Sequence, residues 1–75
     1  MKAIEKKWMG TPPTECDTCG RKIDQVFIDG RVRVGGMWAI LCPACHEKLG
    51  VGLGQGKGQK YEYRVRDGEW IKVDG

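Results

Sequence analysis

The sequence predicts a small α+β domain that is stabilised by a bound metal ion. Three observations lead to this prediction: the chain has 75 residues, twelve of them are glycine, and its four cysteines form two C-x₂-C pairs. A chain this short buries only about 60% of its unfolded surface, so a hydrophobic core alone gives marginal stability. The glycines increase the conformational entropy that is lost on folding. Domains of this kind usually need a disulfide, a metal or a partner chain.

The expected compartment favours a metal over disulfides. The first residues, MKAIEKKW, lack the apolar segment of a secretory signal. No stretch of the chain approaches the about 20 apolar residues of a membrane span. We therefore expect a cytoplasmic protein, in which thiols stay reduced and disulfides are rare.

The chain is expected to begin with an irregular arm, residues 1–15. Pro12 and Pro13 disfavour helix and regular strand pairing, and Trp8 either docks the arm onto the domain or leaves it free. The rest of the same domain divides into a metal-binding module at residues 16–50, a glycine-rich loop at 51–60 and a C-terminal β-hairpin at 61–75.

The metal-binding module begins with a zinc knuckle at CDTCG. Two residues between Cys16 and Cys19 let both sulfurs face one ion across a tight turn. Gly20 tolerates the positive φ with which the chain curls back. Strand-favouring apolar residues then predict β-structure over residues 24–41.

Two turn signals compete within this β-structure. The Asp-Gly pair at 29–30 suits a short hairpin, whereas the Gly-Gly pair at 35–36 suits a longer one with strands near 26–33 and 37–41. We favour the longer hairpin. It requires the Asp-Gly pair to lie inside the first strand as an irregularity such as a bulge.

The second cysteine pair is expected to open a short helix. Pro43 suits the first helical position, because its missing N–H would have no partner there, and residues 44–49 continue for about two turns. Gly50 is expected to end the helix in the left-handed conformation, with Lys48 near the negative helix end. A helix this short is unstable alone, so a metal at its first turn would nucleate it.

The segment GVGLGQGKG has glycine at every second position. It suits a flexible linker, or a loop whose backbone closely approaches a phosphate or another chain. The spacings of a Walker loop and of G-x-G-x-x-G are both missing.

A second hairpin is predicted at the end of the chain, with strands at 61–65 and 70–73. A two-residue turn at Asp67 and Gly68 would pair Arg66 with Glu69 and Val65 with Trp70. This register places Tyr61, Tyr63, Val65 and Trp70 on one face of the hairpin.

The pattern C-x₂-C…C-x₂-C is a strong signal of a metal site. The interval of 22 residues between the pairs slightly exceeds the usual ~15–20, which a long hairpin absorbs. Four thiolates complete a tetrahedral Zn²⁺ shell and leave no position for an activated water, so the ion would be structural. Iron also fits four thiolates. The predicted ligands are Cys16, Cys19, Cys42 and Cys45.

Other interpretations of the cysteines remain open. They are two disulfides, free thiols or a redox-active C-x-x-C pair, although no βαβ pattern surrounds either pair. His46 could replace Cys45 as a ligand, but four thiolates already saturate the ion. We therefore expect His46 to be a half-exposed helix residue.

Knuckle, hairpin and helix in this order are the treble-clef arrangement. From about Cys16 to Tyr61, the segments CDTCG, FIDGR and WAILCPACHEKLGVGLGQGKGQKY resemble small zinc-binding treble-clef or zinc-ribbon-like proteins predicted in tailed bacteriophages and prophages. The resemblance implies a bacterial host cytoplasm and makes the glycine-rich segment part of the module. It implies no established activity.

No enzymatic activity is expected. Nucleases on treble-clef scaffolds use a histidine on the hairpin as general base, and residues 24–41 contain none. His46 has no evident nucleophile once a metal takes the thiols.

Nucleic-acid binding is the first predicted function. The formal net charge is +3, and residues 31–75 carry eight basic and five acidic residues. Four thiolates around Zn²⁺ reduce the net charge to about +1. Cations that alternate with aromatic rings would contact phosphates and unpaired bases. The residues predicted to do so are Lys57, Lys60, Tyr61, Tyr63, Arg64 and Arg66.

Two alternatives accompany this prediction. The first is that Tyr61, Tyr63 and Trp70 form a minor core and the arginines only solubilise the surface. The second is a protein-interaction module, an adaptor or inhibitor of a host or phage protein. Three tryptophans in a chain that can bury few of them motivate it.

Overall fold

The computed structural model describes residues 5–75; the first four residues of the predicted arm lie outside this range. The described residues form the small α+β fold that the sequence predicts, with one short helix and one antiparallel sheet in the strand order β2-β1-β3-β4. Within this part of the chain, no helix is both long and apolar enough to cross a membrane. The elements are Val26–Arg31 (β1), Trp38–Leu41 (β2), Pro43–Leu49 (α1), Gly58–Arg64 (β3) and Glu69–Asp74 (β4).

Strands β1 and β2 form the longer of the two hairpins considered above. Asp29 lies opposite Ile40 and Gly30 opposite Ala39 in an uninterrupted register, so the Asp-Gly pair is a regular part of β1 and not a bulge. The chain turns at 35–36, where both glycines have positive φ (89° and 69°). The strands are shorter than predicted: β1 ends at Arg31, and Val32 closes the turn with its N–H on the Met37 carbonyl oxygen (2.8 Å) while it also bridges to Gly50 after the helix.

Helix α1 begins as predicted and ends differently. Pro43 occupies its first turn after the N-cap Cys42, but Gly50 is extended (φ −77°, ψ 169°) and not left-handed. The predicted left-handed stop is wrong because the chain leaves the helix to pair with Val32. Glycine is needed here for space: a Cβ at Gly50 would lie 2.5 Å from His46 Cδ2 and 2.7 Å from the His46 carbonyl oxygen.

We expect Gly50→Ala to destabilise the metal-loaded chain by about 1–3 kcal/mol, the usual cost of overpacking. The backbone of Gly50 suits any residue, so the cost would come from the contact with His46. Urea unfolding would measure it. In a His46→Ala background the same substitution should cost less, because the ring is gone and only the carbonyl contact remains. Equal cost in both backgrounds would contradict this explanation.

The register predicted for the C-terminal hairpin is wrong. Tyr63 pairs with Trp70 and Arg64 with Glu69, which leaves a connection of four residues, 65–68. The two-residue turn would need positive φ at both of its central residues. Only Gly68 has positive φ (71°), whereas Asp67 does not. The Gly68 N–H instead donates to the Arg64 carbonyl oxygen (2.8 Å), which closes the wider turn.

The aromatic side chains form a core on one face of the sheet. Phe27 is fully buried and stacks on Tyr61, its cross-strand neighbour, with ring centroids 5.2 Å apart. Trp70 lies 5.0 Å from Phe27, and Trp8 meets Phe27 edge-on at 5.2 Å. Tyr63 extends the group through Trp70 at 5.3 Å. These five residues are called the aromatic cluster below.

The described part of the N-terminal arm is docked onto the domain. The Trp8 N–H donates to the Trp70 carbonyl (2.9 Å), and the Lys72 N–H donates to the Lys6 carbonyl (2.8 Å). The arm therefore covers part of the outer edge of β4. At the opposite edge, Asp17 exchanges two hydrogen bonds of 2.8 Å with the backbone of Ile40 in β2. Both sheet edges are thus partly closed to pairing with another chain.

Candidate metal centre

The four cysteine sulfurs converge at the junction of the knuckle and the helix. Their Sγ atoms all lie within 4.8 Å of one another, and Cys19 Sγ and Cys42 Sγ are 3.7 Å apart. Tetrahedral zinc with Zn–S bonds of about 2.3 Å places its sulfurs about 3.8 Å apart. A disulfide needs about 2.05 Å, and all four cysteines are free. The cluster therefore fits one structural metal ion.

The knuckle folds back through hydrogen bonds of its own backbone. The Cys16 N–H donates to the Arg21 carbonyl (2.8 Å), and the Gly20 N–H donates to the Cys16 carbonyl (2.9 Å). Gly20 has φ of 74°, the positive value expected from the sequence. Cys42 follows β2 directly and Cys45 lies one turn later in α1, so the hairpin brings the second pair to the first.

Backbone N–H groups are directed at the sulfurs. The Cys42 N–H donates to Cys16 Sγ (3.3 Å), the Arg21 N–H to Cys19 Sγ (3.4 Å), and the Cys45 N–H to Cys42 Sγ (3.5 Å). The Thr18 hydroxyl lies 3.2 Å from Cys16 Sγ. Hydrogen bonds of this kind stabilise the ionised form of a thiol, which is the form that binds a metal.

The cluster ionises unevenly without a cation. Burial opposes ionisation of Cys16, but hydrogen bonds from Thr18 and from the backbone lower the pKa of its thiol to about 5. Thr18 also lowers the pKa of Cys45, yet burial and the three neighbouring thiols raise it to about 11. A divalent cation supplies the positive charge that lets all four sulfurs ionise together.

Access to the sulfurs is one-sided. Cys16 and Cys42 are buried, Cys45 is half-buried, and Cys19 is exposed. A metal ion or a chelator therefore reaches the cluster from the Cys19 side.

His46 lies outside the cysteine cluster. It is half-buried, and its Nε2 lies 3.0 Å from the Gly52 carbonyl oxygen. A carbonyl oxygen only accepts, so Nε2 carries the proton and donates it. The ring thus ties α1 to the glycine-rich loop, a role that the sequence did not indicate.

The glycine-rich segment is a structured loop. Gly54 and Gly58 exchange two backbone hydrogen bonds of 2.9 and 3.1 Å. Gly58 lies opposite Gly30, and a Cβ on Gly58 would come within 2.9 Å of the Gly52 carbonyl oxygen. The glycines let the loop backbone pack closely against the start of β3 and against β1. This ordered packing does not suit a flexible linker. Strand β3 begins at Gly58, so the last three residues of the predicted 51–60 loop lie in the sheet.

The residues predicted to contact nucleic acid do not form one surface. Tyr61 is only 3% exposed, and its burial in the aromatic cluster prevents stacking on a base. Lys60 is half-buried and lies 3.9 Å from the Glu62 carboxylate. Three more of the six predicted contact residues are exposed, namely Lys57, Tyr63 and Arg66.

Arg64 is engaged by two carboxylates. Its guanidinium donates to Asp67 (Nη2–Oδ2 2.6 Å) and also pairs with Glu5. The hydrogen bonds from Arg64 hold the pKa values of both carboxyl groups below their usual range. Arg64 therefore joins the arm to the C-terminal turn, and its guanidinium is occupied by carboxylates where the sequence predicted a phosphate contact.

Four other exposed cations lie on segments that meet, namely the end of β1 with the turn after it, the end of α1 and the glycine-rich loop. The Arg31 N–H donates to the Lys57 carbonyl (2.8 Å), and the Arg33 N–H donates to the Leu49 carbonyl (2.7 Å). The Arg33 guanidinium also donates to the Gly50 carbonyl (3.2 Å). We call this group the basic pole; it consists of Arg31, Arg33, Lys48 and Lys57.

Prediction from the sequence missed three members of the basic pole, Arg31, Arg33 and Lys48, although the local excess of basic residues indicated them. Residues 30–61 contain five basic residues and one acidic residue, Glu47. The basic residues are spread over more than 25 positions, and only pairing of distant segments brings them together.

Comparison with known proteins assigns the chain to no family. No protein-family model matches the chain, and no curated protein and no solved structure matches it.

Proposed function

We propose that the chain is a non-enzymatic module that is organised by one structural zinc ion and binds nucleic acid. The observation that carries the binding function is that four exposed cations lie on segments that backbone hydrogen bonds bring together at the basic pole. The four clustered sulfurs support the structural role of the ion.

The donor set favours a structural ion over a catalytic one. Four thiolates complete a tetrahedral shell, so no position is left for an activated water or a substrate. Zinc suits this set and has no redox chemistry, whereas iron on four thiolates would serve electron transfer. Native mass spectrometry separates the two metals by mass, and four-thiolate iron would also colour the protein. We expect one colourless zinc per chain.

The proposal includes a treble-clef assignment and a bacterial cytoplasm. The order of knuckle, β1–β2 hairpin and α1, with the second cysteine pair in the first turn of the helix, supports the assignment. Four reduced thiols in one cluster suit a reducing compartment. A phage or prophage origin follows only from the sequence resemblance.

The chemistry of the basic pole fits a polyanion. Lysine and arginine side chains bind phosphates and release condensed counterions, so affinity falls as salt rises. Glu47 is the single carboxylate within residues 30–61 that would repel phosphates. Four phosphate contacts would give a slope of log affinity against log salt of about −3 to −4.

A salt titration tests the proposal. Zinc-loaded protein is titrated into labelled single- and double-stranded DNA and RNA between about 50 and 200 mM salt, a range over which phosphate contacts weaken strongly. The double variant Arg31→Gln/Lys57→Gln should weaken binding and reduce the salt slope by about 1.5–2. The matched control Arg21→Gln/Lys22→Gln removes the same charge from two exposed residues next to the knuckle. Its slope should stay near that of the unaltered chain.

Two results would contradict the proposal. One is the absence of any binding at the lowest salt concentration. The other is an equal loss of slope in both double variants, because that would reflect net charge and not the basic pole.

A protein-interaction module is the second candidate function. Val34 (83%), Met37 (74%) and Trp38 (49%) expose apolar surface next to one another at the β1–β2 turn. Exposed tryptophan and arginine are common anchors of protein interfaces. Capture of partners from a bacterial lysate after nuclease treatment would favour this candidate if protein partners survive the treatment.

A further inference from the structure

We propose that the ligand of the basic pole is single-stranded nucleic acid and that the indole of Trp38 stacks on an unpaired base. This inference rests on the proposed nucleic-acid function. It specifies that the ligand is single-stranded and that Trp38 distinguishes it from a duplex. Trp38 was not among the residues that the sequence predicted as contacts.

Trp38 stands at the edge of the basic pole. It is the first residue of β2, an outer strand, and it lies directly opposite Arg31 in β1. Cross-strand neighbours have Cβ atoms about 4.5–5.5 Å apart on one face of a sheet. The Arg31 backbone is in turn bonded to the Lys57 carbonyl. An aromatic ring and two phosphate-binding cations therefore share one end of the sheet.

The fold gives Trp38 no structural task comparable to that of the other two tryptophans. Trp8 and Trp70 both belong to the aromatic cluster and contact Phe27. The ring pairs found among residues 5–75 involve only members of that cluster, and Trp38 is 49% exposed. Its exposed ring is therefore available to a ligand.

The chemistry of this end of the sheet favours a single strand over a duplex. Stacking on an aromatic ring requires an unpaired base, and a ring beside a cationic groove is the usual means of binding single strands. A duplex is read instead by polar side chains that reach base edges in a groove. The residues that extend beyond the basic pole at the turn are apolar, namely Val34 and Met37.

Fluorescence titrations test the inference. Zinc-loaded full-length protein is titrated with 12-nucleotide oligo(dT), with oligo(rA) and with a 12-base-pair DNA duplex at about 50 mM salt, where phosphate contacts are strong. Affinity is read for every variant from the anisotropy of a labelled oligonucleotide. We expect at least tenfold tighter binding of a single strand than of the duplex, with quenching of tryptophan emission in the unaltered chain. Trp38→Ala should weaken single-strand binding roughly five- to a hundredfold, the range for loss of one stacked base.

Two further variants make the test specific. Trp38→Phe keeps an aromatic ring and should retain most of the affinity. Tyr63→Ala is the matched control, since Tyr63 is also an exposed aromatic residue but lies on the C-terminal hairpin. The affinity of this variant for the single strand should stay within about twofold of that of the unaltered chain, which is less than the effect of losing one stacked base. Zinc content of one ion per chain, measured for each variant, shows that the fold is retained.

The outcomes separate this inference from the proposed function. If neither single strands nor duplex bind, both fail. The inference is overturned if single-stranded oligonucleotides and the duplex bind with equal affinity. It is also overturned if Trp38→Ala binds the single strand as tightly as the unaltered chain does. The nucleic-acid function would then stand, provided that Arg31→Gln/Lys57→Gln still weakens binding.

Discussion

Removal of the metal is expected to unfold the chain. The buried apolar core of residues 5–75 is small: besides two of the cysteines it consists of Phe27, Ile28, Leu41 and Tyr61. Metal binding to a four-thiolate site contributes on the order of 10 kcal/mol to folding at neutral pH. This is comparable to the whole net stability of a typical domain, about 5–15 kcal/mol. Loss of the ion should therefore abolish the folded state.

The measurement uses a strong chelator in the presence of a reductant that does not bind metal. We expect the near-ultraviolet circular dichroism of the aromatic cluster and the dispersion of the amide resonances to collapse, and added Zn²⁺ to restore both. Native mass spectrometry reports the metal count and the thiol state of the same samples. A reduced, metal-free chain that stays folded would refute the structural role of the ion.

Substitutions at the site should give graded effects. Cys42→Ser removes a buried ligand and is expected to prevent stable metal binding. Thr18→Ala keeps all four ligands and removes only the hydroxyl next to Cys16 Sγ. We expect it to weaken metal affinity roughly 10- to 100-fold while the loaded chain stays folded. Met9→Ser, at an exposed position away from the cluster, is the control and should change neither property.

Truncation of Phe27 is the second substitution with a large expected effect. Phe27 is completely buried and contacts Trp8, Tyr61 and Trp70. It connects the arm, the central strands and β4. Phe27→Ala leaves a cavity in the middle of this cluster, and buried Phe→Ala substitutions cost about 3–5 kcal/mol.

Urea unfolding in excess Zn²⁺ measures this cost, because the ion then keeps the site assembled in the variant. Val34→Ala is the matched control: it also truncates an apolar strand-favouring residue, but at an exposed position, and should change stability by less than about 0.5 kcal/mol. If the two variants unfold at the same urea concentration, the aromatic cluster contributes little and the metal alone maintains the fold.

Features that depend only on residues adjacent in the sequence were predicted correctly. The spacing of the cysteines identified the four residues that cluster, because two intervening residues are enough to set the geometry of a knuckle or a first helical turn. Pro43 marked the start of α1 for an equally local reason. The glycines at 35–36 identified the longer hairpin, because the ability to adopt the positive φ of this turn is intrinsic to glycine.

The errors arose where distant segments meet. Gly50 was expected to be left-handed, but pairing with Val32 holds it extended. The C-terminal register is a local exception: it differs by two residues because Asp67 does not adopt the positive φ of a two-residue turn and instead accepts from Arg64 within a wider connection. Tyr61 was assigned to a binding surface, whereas Phe27 and Trp8 bury it.

The sequence by itself determined that this chain is a small α+β domain with four cysteines placed for one metal ion. These properties rest on local spacing and on the conformational preferences of single residues. Only the tertiary structure decided which cations and which aromatic ring share a surface. Lys57 meets Arg31 through a backbone hydrogen bond across 26 positions, and Trp38 faces Arg31 through strand register. Such contacts depend on the closure of long loops around the sheet, which no local pattern encodes.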